Sequence, residues 1–392
     1  MASELRPADE AELAEAVAEA AARRTPLEIR GGGTRAGLGR PVQAERTLST
    51  AGLIGITLYE PGALTLVVRA GTPLREVEET LAAEGQMLPF EPMDHRPLLR
   101  TEGEPTIGGM VACGVSGPRR IQAGACRDAM IGVRFVDGEG HVTANGGRVM
   151  KNVTGYDLVK LMAGSYGTLG VVTEVAFKLL PRPPRVASLV LQDLDDAAAA
   201  AAMADAVATP HDVTGAAHLP ATGDAPARTV VRVQGMERQI GYRAERLARR
   251  LSRHGEVRRV DGEEHDRLWA AIRDCTGFAD RPGAVWRLSM KPSDAAPAVE
   301  ALRAALGAEA LYDWAGGLVW LEVPEEGDAG AAAIRRETAA RGGHATLVRA
   351  SAATRASVQV FEPEPAPLRR IAEGLRARFD PAGILNPQRM GG

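Results

Sequence analysis

Cysteine is nearly missing: Cys113, Cys126 and Cys275 are all that 392 residues contain. Three thiols are too few for a disulfide framework and one short of a four-cysteine iron–sulfur site, so redox chemistry on this chain needs an organic cofactor. Long apolar runs are absent too, and no amino-terminal stretch joins a basic segment to a continuous apolar one. The expectation is a cytoplasmic chain without direct membrane insertion, any membrane association arising through partners. Charge of one sign is lacking: the net charge is −3. The basic residues, almost all arginine, are scattered, so nothing suggests a nucleic-acid footprint. The seven histidines stand apart, with no i, i+4 or i, i+2 pair, so no protein metal site is expected.

Glycine is plentiful. "LEIRGGGTRAGLGR", residues 27 to 40, places three consecutive glycines behind a short strand. Bare glycine lets a ligand approach the main chain and lets amide N–H groups line an anion site, although a flexible surface turn has the same composition. Gly31, Gly33 and Ala36 fit G-x-G-x-x-G/A, but the dinucleotide motif must open into a helix. Gly37, Gly39 and Pro41 are poor helix residues. A Walker A loop fails as well, since no Gly-Lys-Ser/Thr follows.

Residues 9 to 24 predict a helix, with Leu13 and Val17 at helical spacing, acids first and arginines last. Residues 27 to 30 and "ALTLVVRAG" predict strands. "TPLREVEETLAAEG" predicts a helix with Thr72 as N-cap, Pro73 in first position and Gly85 at the C-cap. Asp137-Gly138 signals a hairpin. "GTLGVVTEVAFKLLPRPPR" runs a strand into a proline stop, where the domain boundary is placed. Beyond it, strands near 186–192, 229–235, 284–290, 317–323 and 345–349 alternate with helices near 195–208, 237–253, 294–306 and 328–341. That order predicts a mixed sheet covered by helices, built of two related α+β units. A last helix, 366–378, leads into "FDPAGILNPQRM".

Three glycine-bearing segments, 30–39, 106–117 ("TIGGMVACGVSG") and 164–172 ("GSYGTLGVV"), each border a strand and point to one extended ligand passing several turns. With them the first half resembles the FAD-binding domain of the vanillyl-alcohol oxidase and p-cresol methylhydroxylase (PCMH) superfamily. "GQMLPFEP" at 85–92, "SGPRR" at 116–120, "VMKNVTGYDLVKLMAGSYGTLGVVTEVAFKLLP" at 149–181 and the closing "FDPAGILNPQRM" carry a closer likeness, to FAD-binding subunits of bacterial glycolate oxidase. In the second half that likeness is thinner, resting on "WAGGLVWL", "GGHATLVR" and the tail.

The resemblance implies an α+β fold. A PCMH-type FAD-binding domain of two α+β subdomains would occupy 1–184 and a mixed-sheet α+β cap domain 185–375, with a tail, 376–392, returning to the FAD domain. It implies that Arg30, Gly31, Gly32, Gly33, Thr34 and Arg35 meet the FAD pyrophosphate. Thr106, Gly108 and Gly109 would pass near the diphosphate and flavin, and Gly167, Thr168, Gly170 and Val172 would lie on the adenine side. Tyr156 and Asp157 would fix that last segment. FAD is expected noncovalent: Thr34 stands where a linking histidine would, and Cys113 and Cys126 read as small buried residues.

Oxidising a small 2-hydroxy acid needs a cation for the carboxylate and a base for the hydroxyl proton. The candidates are His95, between Asp94 and Arg96, and His344 and Arg349, which flank a strand; an isolated histidine is also compatible with a structural role. The metal motif of related catalytic chains is not present. The resemblance therefore implies a subunit working beside a paralogous FAD-containing catalytic subunit and an iron–sulfur subunit. A stand-alone FAD-dependent oxidase or dehydrogenase and a non-catalytic scaffold subunit remain the alternatives. Arg119 and Arg120 are placed to face an acidic partner, the FAD phosphates or solvent.

Overall fold

The computed structural model describes residues 3–147, 155–223 and 225–391; positions 149–154 of the long glycine-bearing motif lie outside the described residues. The chain divides into two units. The first comprises residues 1–116, 124–182 and 363–392, the second 117–123 and 183–362. The break after 362 assigns the whole last helix, Ala366–Phe379, to the first unit. Among the described residues no helix is long and apolar enough to cross a membrane.

The first unit begins with β1 (Ser3–Leu5) and the helix Glu10–Arg23. Asp9 caps that helix by accepting from Glu12 N, Glu10 and Glu12 sit in its first turn, and Arg24 ends it at φ +54°. Leu13, Val17 and Ala20 form the buried stripe, at i, i+4 and i+7. They pack on Leu27, Leu48, Val136, Val171, Ile384 and Leu385. Burying Leu13 and Val17 contributes roughly 2 kcal/mol each. β2 (Leu27–Arg30) and β1 flank β3 (Arg46–Ser49) in a parallel three-stranded sheet. Leu385 of the tail pairs in parallel with Leu27, on the side of β2 away from β3.

A second, antiparallel sheet has the order β4-β5-β9-β7-β8. Its strands are β4 (Ile56–Glu60), β5 (Thr65–Arg69), β7 (Met130–Val136), β8 (Val142–Gly146) and β9 (Val171–Lys178). β6 (Gln86–Met87) pairs with β10 (Leu180–Pro181). The hairpin signal marks the β7–β8 turn, but its positive-φ residue is Gly140, not Gly138. Gly138 is bare for another reason: a Cβ there would stand 2.5 Å from Asp380 Oδ1. The helix Leu74–Ala83 lacks its expected cap. Thr72 Oγ1 accepts from Gly55 N at 2.9 Å instead, and the helix starts without a side-chain cap after Pro73.

The second unit is built on one eight-stranded sheet of order β14-β11-β13-β12-β16-β17-β15-β18. The strands are β11 (Arg185–Gln192), β12 (Val213–Leu219), β13 (Arg228–Gly235), β14 (Val257–Val260), β15 (Ala284–Ser289), β16 (Glu309–Asp313), β17 (Leu318–Val323) and β18 (His344–Arg349). The expected mixture of parallel and antiparallel neighbours is not found: every pair in this sheet is antiparallel. The reason is the split crossover: the two strands that a helix joins run parallel but are not neighbours, because β13 lies between β11 and β12, and β17 between β15 and β16, antiparallel to both. Each half reads β-α-β-β-α-β, and the second half's strand order mirrors the first's, so the two related units are real. They join through a single register pair, His218 with Tyr312.

At that seam Asp196 gathers a polar cluster. Tyr312 donates to it at 2.7 Å and Arg303 at 3.0 Å, with His218 Nε2 3.4 Å away. Burial alone would raise this carboxyl; the contacts to His218, Tyr312 and Arg303 outweigh it and bring the pKa to about 2.

Candidate functional site

β2 ends at Arg30 and the chain turns at once through the glycine run. Two of those glycines are bare because the facing segment, residues 104–106, lies on them. A Cβ on Gly31 would stand 2.3 Å from Thr106 Oγ1, and one on Gly32 only 1.7 Å from the carbonyl oxygen of Glu104. Gly33 is required by its φ of +79°. The glycines thus let two loops dock, and the docking leaves the amides of one loop unclaimed. Among the described residues, the N–H groups of Gly32, Gly33, Thr34 and Arg35 meet no protein acceptor, and turn bonds resume with Ala36 N to Gly33 O at 3.1 Å. A run of unpaired amides beside buried residues is the arrangement that binds anions.

Arg35 strengthens that reading. Its guanidinium is buried, 8% exposed, and donates from Nη2 to the Met93 carbonyl at 3.1 Å, while Nε has no hydrogen-bond partner. Burial pulls its pKa below the ordinary arginine value. Such a cation is normally paired.

Arg35 lines a cleft that is partly open to solvent. The structure brings most of the expected residues to this one space. Arg30, Gly31, Gly32, Gly33, Thr34 and Arg35 line it, and so do Thr106, Gly108 and Gly109 of the second segment. Gly167, Gly170 and Val172 complete it from the third. Local packing again demands glycine: a Cβ on Gly108 would meet Ala70 Cβ at 2.8 Å, and one on Gly170 would meet Phe135 at 2.7 Å.

Thr168 does not line the cavity. Its hydroxyl donates to Ser165 O at 2.7 Å and approaches Met390 Sδ at 3.6 Å, on the side of a second hollow bounded by the tail. Asp157 caps the short helix Leu158–Met162 by accepting from Lys160 N, and Tyr156 is exposed.

Cys113 reaches the cavity, and so do residues not singled out from sequence, notably Glu28, Tyr166, Asn386 and Arg389. The last two lie in "LNPQRM", whose likeness was noted but whose return to the loop is a long-range fact. Cys113 keeps its thiol protonated, since burial raises its pKa. Three arginines (Arg30, Arg35, Arg389) against one glutamate (Glu28) leave the lining with two excess positive charges.

The catalytic candidates are not brought together. Buried His95 lies outside the cavity lining, and beside it Arg96 forks onto Asp94 at 2.8–3.1 Å. His344 and Arg349 stand at the two ends of β18 in the second unit. Arg349 spends its donors on the carbonyls of Gly283, Arg281 and Phe278. Burial, then the charge of Arg287, lowers the pKa of His344. Arg119 is also engaged, donating to Gln122 and Gln234, and Arg120 lies 4.8 Å over the Trp314 ring. The β7–β8 turn gathers ligand-type atoms of Asp137, Glu139 and His141 within 4.8 Å; searching histidine pairs alone passes over that mixed group.

A family model described as an FAD binding domain matches residues 2–145. Nearly the whole length is matched by glycolate oxidase subunit GlcE of Escherichia coli (strain K12), 38% identical over 380 residues and 96% of each chain. The chain belongs to the GlcE family of glycolate oxidase subunits. This GlcE-family chain is also 32% identical to glycolate oxidase subunit GlcD of Bacillus subtilis (strain 168), over 201 residues, 51% of this chain and 40% of that one. Among solved structures, 4-ethylphenol oxidase from Gulosibacter chungangensis matches with a TM-score of 0.74 at 16% identity, covering 99% of this chain and 88% of that one. At that identity the likeness speaks for the fold alone.

Proposed function

We propose that this chain is the FAD-binding subunit of a glycolate oxidase assembly, and that the cavity at the end of β2 holds the cofactor. The observation that carries the reading is the 38% identity to a GlcE subunit across 96% of both chains. The site supports it on its own terms. A dinucleotide diphosphate carries two negative charges, and the cavity lining has two excess positive ones. The unclaimed amides of residues 32–35 and the unpaired Nε of Arg35 supply donors for such a group.

FAD held here would supply a hydride acceptor for the oxidation of a 2-hydroxy acid. The residues of this chain bind and orient. Gly32 to Arg35 would donate from their amides to the diphosphate, Arg35 would neutralise it in a water-poor setting, and Thr106 would keep the facing loop in register through Gly109 N at 3.4 Å. Thr168 is not part of this set. Among the described lining residues there is no histidine, and the one carboxylate, Glu28, is tied to Arg30 at 2.7 Å. The described lining therefore offers no imidazole and no unpaired carboxylate as a base for the substrate hydroxyl. That favours a division of labour in which a second flavin subunit carries most of the hydroxy-acid chemistry and an iron–sulfur subunit takes the electrons.

The test is an absorption spectrum of the purified chain before and after glycolate or D-lactate, with and without the partner subunits. The expected result is a flavin spectrum, flavin released by acid precipitation, and glycolate turnover that needs the partners. A colourless protein that takes up no FAD contradicts the cofactor; full glycolate turnover by the chain alone contradicts the division of labour.

A further inference from the structure

The tail is bonded to the segments that shape the cavity. Arg389, 6% exposed, donates through Nη1 to the carbonyls of Ala36 (3.1 Å) and Leu38 (2.9 Å), and its Nη2 lies 3.4 Å from Glu28. Its own carbonyl accepts from Arg40 N at 2.9 Å. The approach is so close that a Cβ on Gly39 would meet Arg389 Cδ at 2.8 Å and its carbonyl oxygen at 2.9 Å.

Asn386 does the equivalent for the other walls. Its Oδ1 accepts from Ile29 N at 2.8 Å and its Nδ2 donates to Tyr166 O at 2.7 Å, while its backbone N–H donates to Leu27 O at 3.0 Å. It takes φ +43° to do so. One short tail thus laces β2, the end of the glycine loop and the turn before Gly167.

The far side of the tail is packed differently. It borders a hollow, partly open to solvent, with Thr168 and Arg376 on its wall. On that side Arg376 donates to Gly391 O at 2.9 Å. Ile384 and Leu385 are anchored in the apolar core; beyond them the segment is held by polar bonds on one side, faces a hollow on the other, and opens locally at a cost set by those bonds.

We propose that Asn386 and Arg389 are positioning residues for the cofactor loop, so that docking of residues 386–391 and flavin binding are thermodynamically linked. The inference rests on FAD occupying the cavity described above. Arg389 fixes the carbonyls of Ala36 and Leu38, which holds the preceding residues 32–35 in the turn that leaves their amides unclaimed. With the tail undocked, the loop would have to be ordered by the ligand itself, and affinity would fall accordingly. Linkage is reciprocal: if the docked tail favours FAD, FAD must favour the docked tail.

The experiment is timed carboxypeptidase digestion of the full chain, with and without saturating FAD, followed by mass spectrometry, beside fluorescence titration of FAD. FAD should slow the loss of residues beyond Asn386 roughly tenfold or more. Arg389→Ala should abolish that protection and raise the FAD Kd roughly tenfold to a hundredfold; Arg389→Lys should recover part of both. A purely structural tail gives no FAD-dependent protection. If the wild-type chain binds FAD and loses its tail equally fast with or without it, the linkage is refuted while the cofactor assignment stands. If the wild-type chain binds no FAD, both fall. The protection measurement needs no variant, so a poorly folding Arg389→Ala does not weaken it.

Discussion

Arg35→Met should move stability and cofactor affinity in opposite directions. Arg35 is 8% exposed, its Nε has no partner, and its Nη2 donates to the Met93 carbonyl at 3.1 Å. Holding a guanidinium out of water costs several kcal/mol in a protein interior. Methionine fills much of the same space without that cost. Losing the charged-donor bond to Met93 gives back about 1.5–3 kcal/mol. The ligand-free variant should therefore be more stable by about 1–2 kcal/mol, a rise in Tm of about 2–4 °C per kcal/mol for a unit of this size. The same variant loses a charged donor to the diphosphate, about 1.5–3 kcal/mol, which weakens FAD roughly 10- to 150-fold. Thermal melts of the flavin-free protein and quenching of FAD fluorescence measure the two quantities. A variant that melts lower while binding FAD as tightly as the parent would show that Arg35 serves the fold and not the ligand.

Gly32→Ala places a methyl 1.7 Å from the Glu104 carbonyl oxygen, so the two loops must part. Urea unfolding should show a loss of about 1–3 kcal/mol, whereas Gly241→Ala, in the helix Glu237–Leu251 with open space around it, should gain about 0.5–1 kcal/mol. Equal midpoints for the two variants would refute the close approach. At the seam of the second unit, Asp196 has a folded pKa of about 2 against an ordinary 3.8. Its stabilisation, about 2 kcal/mol, is present above pH 4 and is lost as pH falls from about 4 through 2. Asp196→Asn should thus lower stability at pH 7 and flatten the loss between pH 4 and 2; a deficit that stays constant down to pH 2 would exclude the ionic origin.

Local signals in the sequence carried well where one residue's chemistry decides the outcome. Asp9, the early acids and the Leu13/Val17 spacing were enough for the helix Glu10–Arg23, and the three glycine segments did converge on one space. The reading failed where a distant partner decides. Thr72 has the composition of an N-cap, yet Gly55, seventeen residues away, takes its hydroxyl. β12, "VTGAAHL", is poor in strand formers, and it is a strand because β13 and β16 pair with both its edges. Thr168 sits between two cavity residues and faces the other way. Asn386 and Arg389 are more than 350 positions from the β2 and loop atoms they bond, a separation that no spacing rule covers.

The mirrored strand order of the second unit has an ancestral implication. When two copies of one βαββαβ motif meet through equivalent edges, the contact has the geometry of a two-fold homodimer. Either half produced by itself would expose β12 or β16 as a naked edge and should recruit a twin across it, so the present continuous sheet reads as a tethered dimer whose linker spans 261–283.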